Sequence, residues 1–242
     1  LIIGLLPTWG DKVTKMWGEG PVIFNESNAL GYGKWLGSRY KKYSNLIWIL
    51  GGDRPPQADS LDWKPVWRAM ARGIETTYGK NATITYHISG GQNTTSKFLH
   101  SESWLDINMM QSGHGSGHDV PVWNWIEADY RLTPTKPTLD SEPNYEDHPV
   151  NPWPKYDPVK GHFNDYDVRK QCYRSVFAGS CGVTYGHHSM WQFWSTREEK
   201  VNNAILYWAD AIDRPGGFQV GHLRWLMESR PFLQSVPAQE LV

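Results

Sequence analysis

Asn45-Leu-Ile-Trp-Ile-Leu50, halted by Gly51-Gly52-Asp53, decides how the rest of the chain is read. Its apolar residues follow one another without polar alternation. A strand of that kind is buried on both faces, as in a parallel sheet covered by helices. The periodicity changes on either side. Upstream, Asn28 to Tyr43 carries Leu30, Tyr32, Trp35, Leu36 and Tyr40 at helical spacing behind an Asn cap. Downstream, Trp63 to Tyr78 sets Val66, Trp67, Met70, Ala71 and Ile74 on one helix face.

The alternation runs on to the end. Leu1–Leu6, Ala82–Tyr86, Leu105–Met110, Lys136–Glu142 and Cys181–Tyr185 read as further strands, and Trp123–Tyr130, Asp165–Ala178 and Gly217–Met227 as helices. Six βα units of about forty residues each predict an α/β fold. A doubly wound sheet and a (β/α)8 TIM-barrel type fit the count alike. The barrel is favoured because nearly every strand exits into a polar or aromatic cluster, and because no phosphate-binding glycine signature follows the first strand. The expectation is one barrel domain over residues 1–242 with about six of eight units visible. Leu1–Leu6 would be an interior strand entered midway, in a barrel closed by upstream chain or by a partner.

Composition narrows the functions. Twenty-four basic against twenty-five acidic residues leave a net charge of −1, which argues against a nucleic-acid partner. No apolar run approaches the roughly 18 residues that span a bilayer. Two cysteines, Cys172 and Cys181, make neither a disulfide framework nor a metal knuckle. Fourteen tryptophans against seven phenylalanines favour the aromatic with a flat apolar face and a polar edge, which suits a sugar ring, although tryptophans also pack cores. Sequons at Asn25, Asn81 and Asn93 are close to the number chance gives and say little about compartment.

Two strand ends carry acids. Alternation puts Ile47, Ile49, Gly51 and Asp53 on one face, and Thr138, Asp140 and Glu142 on another. Facing carboxyls are what glycoside hydrolysis needs, one to protonate the leaving oxygen and one to attack or to activate water. The structural alternatives are a helix cap or an Arg54 partner for Asp53, and a neighbouring base for Glu142; Asp140, deeper in its strand, would orient neighbours. Trp9, His87, Gln111, His114, His187 and Trp191 stand at other strand ends, suited to bind sugar or to pack the mouth. The histidines, with His118 and His188, also raise metal-dependent hydrolysis, but adjacent His187 and His188 should point apart, and no metal or other cofactor is expected.

Several segments resemble the apiosidase-like glycoside hydrolases, family 140. They are Gly4-Leu-Leu-Pro-Thr-Trp-Gly-Asp11, Trp48-Ile-Leu-Gly-Gly-Asp-Arg54, Thr85-Tyr-His-Ile-Ser-Gly-Gly91, Leu139-Asp-Ser-Glu-Pro-Asn-Tyr-Glu-Asp-His148 and Gly186-His-His-Ser-Met-Trp-Gln192, with Glu228-Ser-Arg-Pro-Phe232 at the close. The resemblance implies a clan A barrel and a retaining mechanism, with Asp53 in the acid/base place and Glu142 in the nucleophile place. It implies an oligosaccharide or polysaccharide substrate of plant cell-wall, pectin type, apiose-containing chains included, and a secreted or periplasmic location. The chain departs from the family pattern at Ile88 and Gln92-Asn93, and its visible part begins at the third strand. A barrel that only binds carbohydrate or serves as scaffold is the other class of reading.

Overall fold

The computed structural model describes residues 1–91, 94–238 and 241, so Gln92 and Asn93 lie outside the described residues. The chain forms two compact units, Leu1–Met110 and Gln111–Val242. Each contains parallel strands and helices.

In the first unit, β1 (Ile3–Leu5), β2 (Leu46–Leu50) and β5 (Thr83–Tyr86) form a parallel sheet in the order β1-β2-β5. The register pairs Ile3 with Leu46 and Ile47 with Thr83. Leu46, Trp48 and Leu50 are buried on one face of β2. Trp48 meets Tyr78 edge-on at 5.4 Å and Tyr40 at 6.2 Å, which seats the helices α1 (Glu26–Tyr40) and α2 (Lys64–Tyr78) on that face. Beyond β5, the Asp106 amide donates to Ile84 and the Thr85 hydroxyl to Ile107, leading the chain into β6 (Asn108–Met110).

Three readings of this unit are corrected. The strand in Leu1–Leu6 is shorter than read: only Ile3–Leu5 is extended, with Leu1, Ile2 and Ile3 exposed and β1 paired, among the described residues, with β2 alone in its sheet. The first helix starts earlier than expected, since the cap is Asn25. Its side chain accepts from the Asn28 amide while the Asn28 side chain accepts from the Asn25 amide, a reciprocal box that satisfies two donors at the helix start. An antiparallel hairpin of β3 (Gln57–Ala58) and β4 (Leu61–Asp62) was not foreseen, because two-residue strands carry no periodicity.

In the second unit, β7 (Thr138–Asp140) runs parallel to β8 (Gly182–Val183), pairing Leu139 with Gly182. Around them lie α4 (Val122–Tyr130), α5 (Asp165–Phe177) and α8 (Pro215–Glu228). Asn164 and Asp167 box the start of α5 as Asn25 and Asn28 do for α1. Val168, Cys172, Val176 and Leu223 form the buried cluster of this unit. Short helices α6 (His188–Trp191) and α7 (Trp208–Ala211), like α3 (Ser96–Leu99) in the first unit, escaped the sequence reading because one turn shows no stripe. No described helix is long and apolar enough to cross a membrane.

Helices α1 and α2 touch backbone to backbone. A Cβ on Gly33 would lie 2.3 Å from the Met70 carbonyl oxygen, and one on Gly73 would lie 2.4 Å from that of Leu30. Gly31, on the same helix, has nothing within 4 Å. Gly33→Ala should therefore lower stability by ~1–3 kcal/mol through overpacking. Gly31→Ala should raise it by up to ~1 kcal/mol through helix propensity. Urea unfolding of the two variants checks the opposite signs.

Candidate active site

Each unit presents one acidic strand end. In the first, β2 stops at Leu50 and the chain turns through Gly51, Gly52 and Asp53 with φ of 90°, 52° and 58°. Strand alternation thus does not reach Asp53; a left-handed turn places it instead. The Gly10 amide donates to the Gly52 carbonyl at 2.9 Å, and a Cβ on Gly52 would stand 2.4 Å from the Gly10 nitrogen. Only glycine fits there. Arg54 follows, buried, donating to the Asp53 carbonyl at 2.7 Å and to Asp53 Oδ2 at 3.2 Å. The Arg54 pairing weighed from sequence is present. Burial depresses the Arg54 guanidinium, against the support of Asp53 and Asp11. Burial pushes the Asp11 carboxyl up, but Lys12, the Gly20 amide and Arg54 outweigh it and hold the group below its usual value.

His87 follows β5 and is buried, its amide donating to the Leu50 carbonyl at 2.8 Å, so it shares the turn's backbone frame. Trp9 lies just before Gly10 with its ring about half exposed.

In the second unit, Glu142 stands two residues beyond β7. Its carbonyl accepts from Gly113, and its Oε1 lies 3.3 Å from His114 Nε2. The Tyr145 amide donates to His114 Nδ1 at 3.4 Å, so the proton sits on Nε2 and is directed at the carboxylate. His148 stacks on His114 with centroids 4.0 Å apart and planes 22° apart. Burial, with His114 and His188 beside it, pushes His148 down to about 2. Burial likewise takes His188 down to about 4, although the carbonyls of Val201 and Asn202 accept from its Nε2. Both rings are neutral at ordinary pH. Asp140, on β7 itself, is fully buried and accepts from Ser112 and Ser175; burial pushes it up to about 6. It orients neighbours, as the sequence suggested.

The remaining candidates are spread through the second unit. Gln111 is buried at its start. His187 is buried with both nitrogens serving the fold: Nδ1 accepts from Ser189 to cap α6, and Nε2 lies 3.1 Å from Asp147 Oδ2. His187 and His188 reach different partners, as adjacency implied. Trp191 is half exposed and donates to His188 Nδ1 at 3.2 Å. His118 pairs with Asp167 at 3.0 Å. Among the tryptophans, Trp9, Trp123, Trp153 and Trp191 are exposed, whereas Trp104 is buried and donates to Glu102.

Sequence reasoning missed Tyr145 and His148, although both lie in the quoted segment after β7, and it gave Arg54 no part beyond a partner for Asp53. It missed Asp147, Glu146 and Arg214 for a different reason. Arg214 donates to Asp147 at 2.8 Å across 67 positions, while Glu146 accepts from the Gly216 amide at the start of α8 and from Tyr185. No local spacing could reveal that network.

The sequence pattern described as "Apiosidase-like, catalytic domain" matches residues 1–234. The chain belongs to this family. Among solved structures, a glycoside hydrolase family 5 protein from Bacteroides vulgatus ATCC 8482 is 35% identical, with a TM-score of 0.88, over 100% of this chain and 52% of its own. A second, described as a glycoside hydrolase, is 34% identical with a TM-score of 0.87, over 99% of this chain and 54% of its own. A third, also from Bacteroides vulgatus ATCC 8482, is 13% identical with a TM-score of 0.55 over 96% of this chain and 39% of its own, a likeness of fold alone. The apiosidase-like chain spans about half the length of the first two structures. No curated protein matches it.

The neutral His148 has a consequence for acid stability. Below about pH 6.5 the unfolded chain binds a proton there and the folded chain does not, so this residue makes stability fall as pH falls, by ~1.4 kcal/mol per unit. Asp140 acts with the opposite sign, since between its ordinary value of 3.8 and about 6 the folded chain keeps a proton that the unfolded chain loses. His148→Phe keeps an aromatic ring in the stack. Its stability relative to wild type should rise as pH is lowered from 6.5 to 4, read by urea unfolding at each pH; a constant difference would contradict the assignment.

Proposed function

We propose that this chain is the catalytic part of a retaining glycoside hydrolase acting on plant cell-wall, pectin-type oligosaccharides, apiose-containing ones included. The single observation that carries the reading is membership of the apiosidase-like family over residues 1–234. Glu142 attacks the anomeric carbon to form a glycosyl-enzyme, while Asp53 protonates the leaving oxygen and then takes the proton of the incoming water. The local chemistry of each acid supports its role. The His114 Nε2 proton directed at Oε1 steadies a carboxylate nucleophile. Arg54 on Asp53 Oδ2 suits the ionised form that Asp53 takes between the two steps.

Trp9, His87, Gln111, His114 and Trp191 serve sugar contacts in this reading, and His187 holds Asp147 in place. The reaction uses neither metal nor cofactor. The scaffold is a (β/α)8 barrel whose remaining units come from chain outside these residues or from a partner. The exposed apolar side chains of Leu1–Ile3, and a groove of about 780 Å³ lined by Val176, Val183, Leu223 and Phe232, support that completion. A cell-wall polymer is met outside the cytoplasm, so the protein is secreted or periplasmic.

Kinetics of two variants test the chemistry. Glu142→Gln should abolish turnover of pectic oligosaccharides. Asp53→Asn should cost ~10²–10⁴-fold with poor leaving groups and far less with activated aryl glycosides, and azide should restore part of the second step. Full activity in Glu142→Gln would overturn the assignment.

A further inference from the structure

A pocket of about 380 Å³ in the first unit is lined by Trp17, Pro55, Gln57, Asp59, Ser89 and Phe98 among others. Pro55 comes two residues after Asp53 and Ser89 two residues after His87, so the pocket lies along the exits of β2 and β5. Its most prominent wall is Trp17, 57% exposed. One face of the indole rests on the Arg54 guanidinium, whose central carbon is 4.2 Å from the ring centroid. The loop that carries it is tied down. Gly18 donates to the Lys15 carbonyl at 2.6 Å, Gly20 donates to Asp11 Oδ2 at 3.0 Å, and Lys12 bonds both Asp11 and the Gly20 carbonyl. A Cβ on Gly18 would sit 2.4 Å from Asp11 Cβ, so the loop has no slack there.

A half-exposed indole on a rigid loop is a stacking platform, and the opposite side of the pocket is polar. The β3–β4 hairpin supplies Gln57 and Asp59, and the Gln57 oxygen is occupied by Lys64, which leaves the amide nitrogen as donor. Asp59 is exposed at the turn of this hairpin with φ 50°. Among the described residues lining the pocket there is one carboxylate and no lysine or arginine. The Arg54 charge below Trp17 faces the carboxyls of Asp11 and Asp53.

We propose that this pocket is a subsite for a neutral sugar ring flanking the bond that is cut, with Trp17 stacking on its apolar face and Asp59 accepting from its hydroxyls while turning uronates away. The proposal rests on the glycosidase reading, and it assigns specificity, not chemistry, to Trp17 and Asp59.

Calorimetric titration of the whole chain with galactotetraose and with tetragalacturonate tests it without any need for turnover. Wild type should bind the neutral tetrasaccharide more tightly than the acidic one. Trp17→Ala should weaken the neutral ligand by about tenfold or more, with Trp17→Tyr intermediate. Asp59→Asn tolerates the left-handed backbone and cannot empty a core, so it stays informative where Trp17→Ala fails to fold. It should shift the preference several-fold toward tetragalacturonate. Absence of binding to either ligand, tighter binding of tetragalacturonate by wild type, or a preference unchanged in Asp59→Asn would overturn the subsite. Binding that follows these rules in a protein without hydrolytic activity would uphold the subsite and refute the glycosidase reading instead. Loss of activity in Glu142→Gln beside unchanged binding in the Trp17 variants would do the reverse.

Discussion

The backbone of Gly52 passes so close to that of Gly10 that no side chain fits between them. That contact locks the turn after β2 into three successive left-handed residues, and the last of these is Asp53. A non-glycine residue at positive φ persists only where its surroundings enforce it. Here the enforcement comes from the Gly10 amide, from the Leu50 carbonyl held by His87, and from Arg54 clamped on Asp53. The carboxylate is presented by backbone geometry, with little left to side-chain rotamers.

The second unit solves the same problem differently. Glu142 is fixed through its neighbour His114, whose tautomer is set by the Tyr145 amide and whose ring is backed by His148. Burial keeps His148 neutral, so the stack supplies orientation without placing its own positive charge beside the carboxylate. Below it, Asp140 ties β7 to Ser112 and Ser175.

The elements with long periodic stripes were legible. Helices α2 and α5 fall within two residues of their expected ends, because Trp67, Met70 and Ile74, or Val168, Cys172 and Val176, must share one buried face. All six expected strands are present, though shorter than read, since the apolar run of Leu105–Met110 contributes only Asn108–Met110 to a ladder. Strand ends were harder. Alternation carried through Gly51 and Gly52 names Asp53 rightly as standing at a strand exit but gives the wrong reason, because glycine leaves the β region there at no cost. The Asp147–Arg214 and Glu146–Gly216 contacts were invisible, being set by how α8 packs and not by any local pattern.

The account turns on which carboxylate bears the sugar between the two steps. The most direct measurement is mass spectrometry of the Asp53→Asn variant during turnover of an activated aryl glycoside. There the first step needs no acid catalyst and the second lacks its base, so the intermediate accumulates. The account predicts a mass increase of one glycosyl unit, located by peptide fragmentation on Glu142. An adduct on any other residue, or turnover with no adduct, would contradict it.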